Sequence, residues 1–77
     1  MFMDSEKYTD VDMAEIATIA LELGEAMWQF DQFGHYTHNM KTLLGKMKTY
    51  RSVFEPILVR CTEKHPNFAK CGYKIPE

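Results

Sequence analysis

The chain is expected to be all-α, an antiparallel helical hairpin, and three features of the sequence predict this. Two long stretches carry apolar residues in alternating steps of three and four, the spacing that lines one face of a helix. Between Lys7 and Lys41 lie six acidic residues (Asp10, Asp12, Glu15, Glu22, Glu25 and Asp31) and no Lys or Arg. From 41 to 64 the sign inverts, with Lys41, Lys46, Lys48, Arg51, Arg60 and Lys64 against Glu55 and Glu63. An acidic helix followed by a basic one across a short link favours antiparallel pairing.

Residues 1–8 show no period and are expected to form a flexible lead. The first helix, about 10–33, has its start marked by Thr9. The Thr9 hydroxyl can accept from the amide of Asp12, and Asp10 and Asp12 place negative charge at the positive end of the helix dipole. Tyr8 and Met13 sit where a hydrophobic staple needs them. The stripe then runs Ile16, Ile19/Ala20, Leu23, Ala26/Met27, Phe30 and Phe33. Gly34 ends the helix, because glycine takes the left-handed C′ geometry without strain.

The link His35-Tyr36-Thr37-His38-Asn39 is short and polar, so the second helix, about 39–64, turns back along the first. Its stripe is Met40, Leu43/Leu44, Met47, Tyr50, Phe54, Ile57/Leu58 and Cys61, interrupted by Pro56. An interior proline costs about 3 kcal/mol, and Ser52-Val53-Phe54-Glu55 resembles a capping box, so this helix is expected to be kinked or broken near Pro56. The heptad keeps phase through Pro56, which favours a kink with a break close by. His65-Pro66 closes the helical run. The tail 66–77, with Phe68, Tyr73 and Ile75, has the apolar content to fold back in an ordered way. Placing Ile16 and Met40 at equivalent heptad positions sets Glu15, Glu22 and Gln29 opposite Arg60, Val53 and Lys46. A Glu15–Arg60 pair in that register contributes only about 0.2–1 kcal/mol, enough to select register.

Composition narrows the function classes. The 77 residues make one small domain, 1–77, near the lower limit for a self-sufficient core. A hydrophobic fraction of 45% argues against wholesale disorder, and a net charge of −2 against bulk attraction to nucleic acid or anionic lipid. No apolar run approaches the roughly 18 residues of a membrane span. Met1-Phe2-Met3 runs straight into Asp4, Glu6 and Lys7, which leaves no signal-peptide core, so a cytoplasmic home and free thiols at Cys61 and Cys71 are expected.

Leu21 and Trp28, seven apart, fall on the face of the first helix opposite its stripe. A two-helix hairpin cannot bury both faces of one helix. Either the tail covers these residues as ordinary core, or they form an interface, where aromatic anchors commonly dominate binding. The second reading makes Leu21, Glu25, Trp28 and Asp31 the candidate partner-binding residues. Asp31 puts a carboxylate at the negative end of the helix dipole, where it does not help the helix; a simply solvated charge is the readier explanation, and service to a partner the other. A homodimer in a four-helix arrangement, with Leu21 and Trp28 buried by self-association, is the expected assembly, and Gly24 or Gly45 would leave room for a close neighbour.

Other chemistry is less well marked. His35, His38, Cys61, His65 and Cys71 invite a zinc reading, but the spacing lacks a second paired motif. A straight second helix also holds the turn histidines roughly 35 Å from Cys61 and His65. No metal or cofactor is expected. Lys41 and Lys48, with Thr42, Thr49 and Ser52, form a polar face that reads as solvated more readily than phosphate-binding. No phosphate loop, nucleophile motif or carboxylate pair points to catalysis. The expected function is therefore that of a non-catalytic cytosolic protein that docks on a larger protein and inhibits or modulates it. Phage- or plasmid-borne inhibitors of the anti-CRISPR or antitoxin type share this profile by class analogy. The alternatives are a metal- or nucleic-acid-binding regulator and a structural subunit of a larger assembly.

If the apolar stripes supply the core, a chelator will leave the helical circular dichroism unchanged. Loss of helicity restored by zinc would assign Cys61, His65 and Cys71 to a structural site.

Overall fold

The computed structural model describes residues 8–77. The chain forms α1 (Asp10–Phe33), α2 (Met40–Lys48), α3 (Arg51–Lys64) and α4 (Pro66–Cys71), with no strand among the described residues. The expected flexible lead falls outside these residues except for Tyr8. That side chain is half-buried, its ring edge-on to Tyr50 at 5.6 Å and its hydroxyl 3.1 Å from Ser52 Oγ. Tyr8 thus packs on Tyr50, while Met13, its expected staple partner, is 41% exposed.

At the start of α1 the capping box is complete: the Asp12 amide donates to Thr9 Oγ1 at 3.1 Å, and the Thr9 amide donates to Asp12 Oδ2 at 3.0 Å. Gly34, at φ 80°, ends the helix and donates its amide to the Phe30 carbonyl. Twenty-four residues at about 1.5 Å each give a rod of about 36 Å. The longest dimension of the molecule is 38 Å, so α1 runs its full length. No helix among the described residues is long and apolar enough to cross a membrane.

Asn39 caps α2, its side-chain oxygen accepting from the Lys41 and Thr42 amides. Contacts between α1 and the chain after it run in reverse order. Gln29 accepts from the amide and hydroxyl of Thr37, Glu22 meets Lys46 at 3.5 Å, and Glu15 and Asp12 accept from the Tyr50 hydroxyl. The buried Gln29 side chain draws the link tight against the end of α1. This register is about one heptad closer to the turn than the spacing alone suggested, so Glu15 takes Tyr50 in place of Arg60.

The second helix, expected to be kinked or broken near Pro56, is divided, and the division lies earlier, at Thr49-Tyr50. Tyr50 takes φ −120° and ψ 42°, its amide bonds to the Met47 carbonyl, and its own carbonyl accepts from Val53 and Phe54 at the start of α3. The α3 helix continues through Pro56. A proline removes the donor that the carbonyl four residues back would use; here that residue is Ser52, which is exposed and can be satisfied by water. Beyond His65, extended at ψ 90°, Pro66 opens α4 and Gly72 closes it at φ 68°.

The core draws on every segment: Ile19, Leu23, Ala26, Met27 and Phe30 from α1; Met40, Leu43, Leu44 and Met47 from α2; then Tyr50, Phe54, Leu58, Phe68 and Ile75. Phe30 packs edge-on to Phe68 at 5.3 Å and near Tyr73 at 6.2 Å. Asn67 donates to the Phe30 carbonyl, and Arg51 donates to the Pro76 carbonyl, pinning the tail over the core. Three stripe positions prove peripheral: Phe33 is 61% and Ile57 39% exposed, and Ala20 is exposed as well.

The Tyr50 hydroxyl has its pKa pushed above the ordinary 10.0, first by its hydrogen bond to Glu15, then by burial and Asp12. A raised value means the folded state holds the proton more tightly. Its contribution is full below the ordinary phenol pKa and is lost as pH rises through the folded value. Asp12 is held below 3.8, first by the Thr9 backbone amide, then by the Thr9 side chain and Tyr50. Its contribution is present above that ordinary value and lost as pH falls through the folded one. Tyr50→Phe should therefore lower Tm at neutral pH and flatten the alkaline loss of stability above about pH 10. An unaltered alkaline limb in thermal melts would contradict this role.

Candidate partner-docking face

The faces of α1 are sharply unequal. One side is closed by α2 and α4 and contains the stripe from Ile19 to Phe30. On the opposite side Ala14, Ala17, Leu21, Gly24 and Trp28 are all exposed, again at steps of three and four. Leu21 is 77% and Trp28 56% exposed, so neither the tail nor α3 covers them. The tail packs against Phe30 instead, through Phe68 and Tyr73.

Trp28 has one aromatic neighbour, Phe33, edge-on at 5.8 Å and 84°. Leu21, two turns before Trp28 on the same side of α1, is exposed as well. Phe33 had looked like the last core position of the stripe. Gly34 ends the helix directly behind it, and α4 reaches Phe30 but leaves Phe33 uncovered. The signal that could have identified this face in the sequence is the second series of steps of three and four, hidden because two of its members are alanine and one is glycine.

The four candidate residues do not share one fate. Leu21, Glu25 and Trp28 lie together on the open face. Asp31 is exposed but engaged, its Oδ2 2.8 Å from His65 Nδ1, which ties the end of α1 to the α3–α4 junction. This contact accounts for a carboxylate at the negative end of the dipole, a position the sequence reading gave to a partner. Glu25 borders a polar cavity of about 290 Å³ shared with Glu22, Tyr36, His38 and Lys46. Burial, followed by Glu22 and Glu25, raises the Tyr36 hydroxyl above its ordinary pKa. A second cleft of about 380 Å³ lies between α3 and the tail over Leu58, Phe68 and Ile75, with Arg51 and Lys74 at its edge. There Arg51 is already held by Glu55 at 2.8 Å and by the Pro76 carbonyl.

The groups considered for zinc are dispersed. His65 pairs with Asp31, and Cys71 Sγ lies 3.5 Å from the Asn67 carbonyl. Among the described residues no three His, Cys, Asp or Glu side chains converge on a point that could hold a metal. A Cβ built at Gly45 would meet nothing within 4 Å, so no side chain of the described fold packs into that space.

No protein-family model, curated protein or solved structure matches this chain.

The cysteines differ in chemistry. Both are free; Cys61 is half-buried and its thiol is pushed above the ordinary 9.0 by burial, partly offset by Lys64, whereas Cys71 is exposed. Thiolate character and access govern alkylation. Iodoacetamide at neutral pH should label Cys71 well before Cys61 by peptide mass mapping, and equal rates would argue against the packing of Cys61.

Proposed function

We propose that this is a small non-catalytic protein that docks on a larger protein and inhibits or modulates it, with the outer face of α1 as its docking surface. The observation that carries the reading is an exposed Trp28–Phe33 pair beside an exposed Leu21 on a helix whose other face is closed. Clustered exposed aromatics mark interaction sites more often than isolated apolar residues do, and tryptophan is enriched among binding hot spots. Glu25 adds a negative charge beside the patch that would steer a basic target. In this reading α1 and α2 form an antiparallel hairpin braced by α3 and α4, a rigid mount for the face. By analogy of size and class, the profile fits a cytoplasmic inhibitor of the phage or plasmid kind.

A second copy is the competing occupant. If α1 met its own antiparallel copy centred on Leu21, Trp28 would lie over Ala14, a large side chain against a small one. That geometry would give the homodimeric four-helix arrangement. Sedimentation equilibrium at micromolar concentration separates a dimer from a 9.0 kDa monomer.

Because Trp28 is exposed, Trp28→Ala should change folding stability by no more than about 0.5 kcal/mol. The same substitution should weaken binding to the target captured from the native host by about 2–4 kcal/mol, the range of a hot-spot aromatic. Charge reversal at Glu25 should slow association and reduce its salt dependence. Unfolding of Trp28→Ala would make Trp28 core, and undiminished binding would move the interface off α1.

A further inference from the structure

We infer that the part of the partner that seats on α1 is a basic amphipathic helix, lying along Ala14, Ala17, Leu21, Gly24 and Trp28. The inference rests on the docking reading above and adds the chemistry of the occupant.

Periodicity supplies the first argument. The five exposed positions follow steps of three and four along the axis, so they form a straight seam. A helix laid in such a seam meets it at regular intervals, as amphipathic helices do in apolar grooves. Side-chain size supplies the second. Three of the five are alanine or glycine, which lets a second helix axis come to about 8 Å, the close end of the usual packing range. Gly24 is the clearest case. A Cβ there would meet nothing within 4 Å, so nothing inside the described fold uses the missing side chain. In mid-helix a glycine nevertheless costs about 0.5–1 kcal/mol relative to alanine. Gly45 has equally open surroundings, so glycine alone is not the criterion. What distinguishes Gly24 is its place between Leu21 and Trp28 on the bare face.

Charge selects the kind of helix. The six carboxylates of α1 are accompanied by no Lys or Arg on that helix. Glu22 meets Lys46, Asp31 meets His65, and Asp12 and Glu15 receive the Tyr50 hydroxyl. Among the described residues no cation pairs with Glu25, which lies directly beside the seam. A second copy of α1 would bring two such acidic helices together, whereas a helix flanked by Lys or Arg would meet the exposed carboxylates of Glu25, beside the seam, and Asp10, one turn before Ala14.

The test uses two synthetic helical peptides with the same leucine seam, one flanked by lysine and one by glutamate, titrated into the full chain while Trp28 emission is followed. The lysine-flanked peptide should bind at least about tenfold tighter, a difference of about 1.4 kcal/mol, and the advantage should shrink as salt is raised to about 0.5 M. Gly24→Leu should abolish that binding with helical circular dichroism intact, while Gly45→Leu should leave it unchanged. Equal binding of the two peptides, or indifference to Gly24→Leu, would overturn the inference. So would a peptide-free dimer that Trp28→Ala dissociates, since the occupant would then be a second copy. If the lysine-flanked peptide does not bind while Trp28→Ala still weakens capture of the host target, the helix inference falls and the docking reading stands. If Trp28→Ala leaves target capture intact, the docking reading falls and takes this inference with it.

Discussion

The buried phenol of Tyr50 is the contact on which the rest of the arrangement depends. Its hydroxyl reaches Asp12 and Glu15 near the start of α1, and its backbone both ends α2 and begins α3. A buried hydroxyl needs a partner, and two carboxylates on the adjoining helix supply it. Once Tyr50 is anchored there, the chain cannot continue outward past the end of α1. It returns, so that α3 begins near Asp12 and ends with His65 beside Asp31. The return delivers Phe68 to Phe30 and lets the tail lie over the core, where Arg51 holds the Pro76 carbonyl.

That return makes the molecule one-sided. The α2 and α4 helices close one side of α1, and α3 packs on both of them. Nothing among the described residues reaches the other side, and the apolar residues there remain in water. A chain this small gains little by leaving Leu21, Trp28 and Phe33 exposed, because each would contribute to stability if covered. An apolar surface kept on a rigid helix is better suited to binding than a loop would be, since little ordering entropy remains to be lost on association. The docking proposal follows from that asymmetry.

Much of the fold was legible in the chain because local chemistry marked it. Thr9 with Asp12, Gly34 and His65-Pro66 set helix boundaries through hydrogen-bonding and steric rules that operate within a few residues. The apolar stripes named most of the core for the same reason. The break at Thr49-Tyr50 was not legible, since neither residue is a glycine or a proline and α3 starts at Tyr50 with no side-chain cap hydrogen bond. The Tyr50 side chain at the break bonds to Glu15 and Asp12, 35 and 38 positions away. Pro56 lies inside α3, as the unbroken heptad phase suggested, and its cost depends on whether the Ser52 carbonyl can find water, which only the packing decides. The candidate face was half legible. Leu21 and Trp28 stood out as large apolar residues off the stripe. Phe33 looked internal by spacing alone, and Asp31 looked available until the fold brought His65 to it.

The α1 helix buries one face and presents the other, with Trp28 exposed on the folded chain. Trp28 is the only tryptophan, so its fluorescence reports on that position directly. The decisive measurement is acrylamide quenching of Trp28 in dilute native protein, compared with the same protein in denaturant. The account predicts a red-shifted native emission and a quenching constant close to the denatured one, alongside full helical circular dichroism. A blue-shifted emission protected from acrylamide at the lowest concentration measured would contradict it, because Trp28 would then be covered by the chain's own residues.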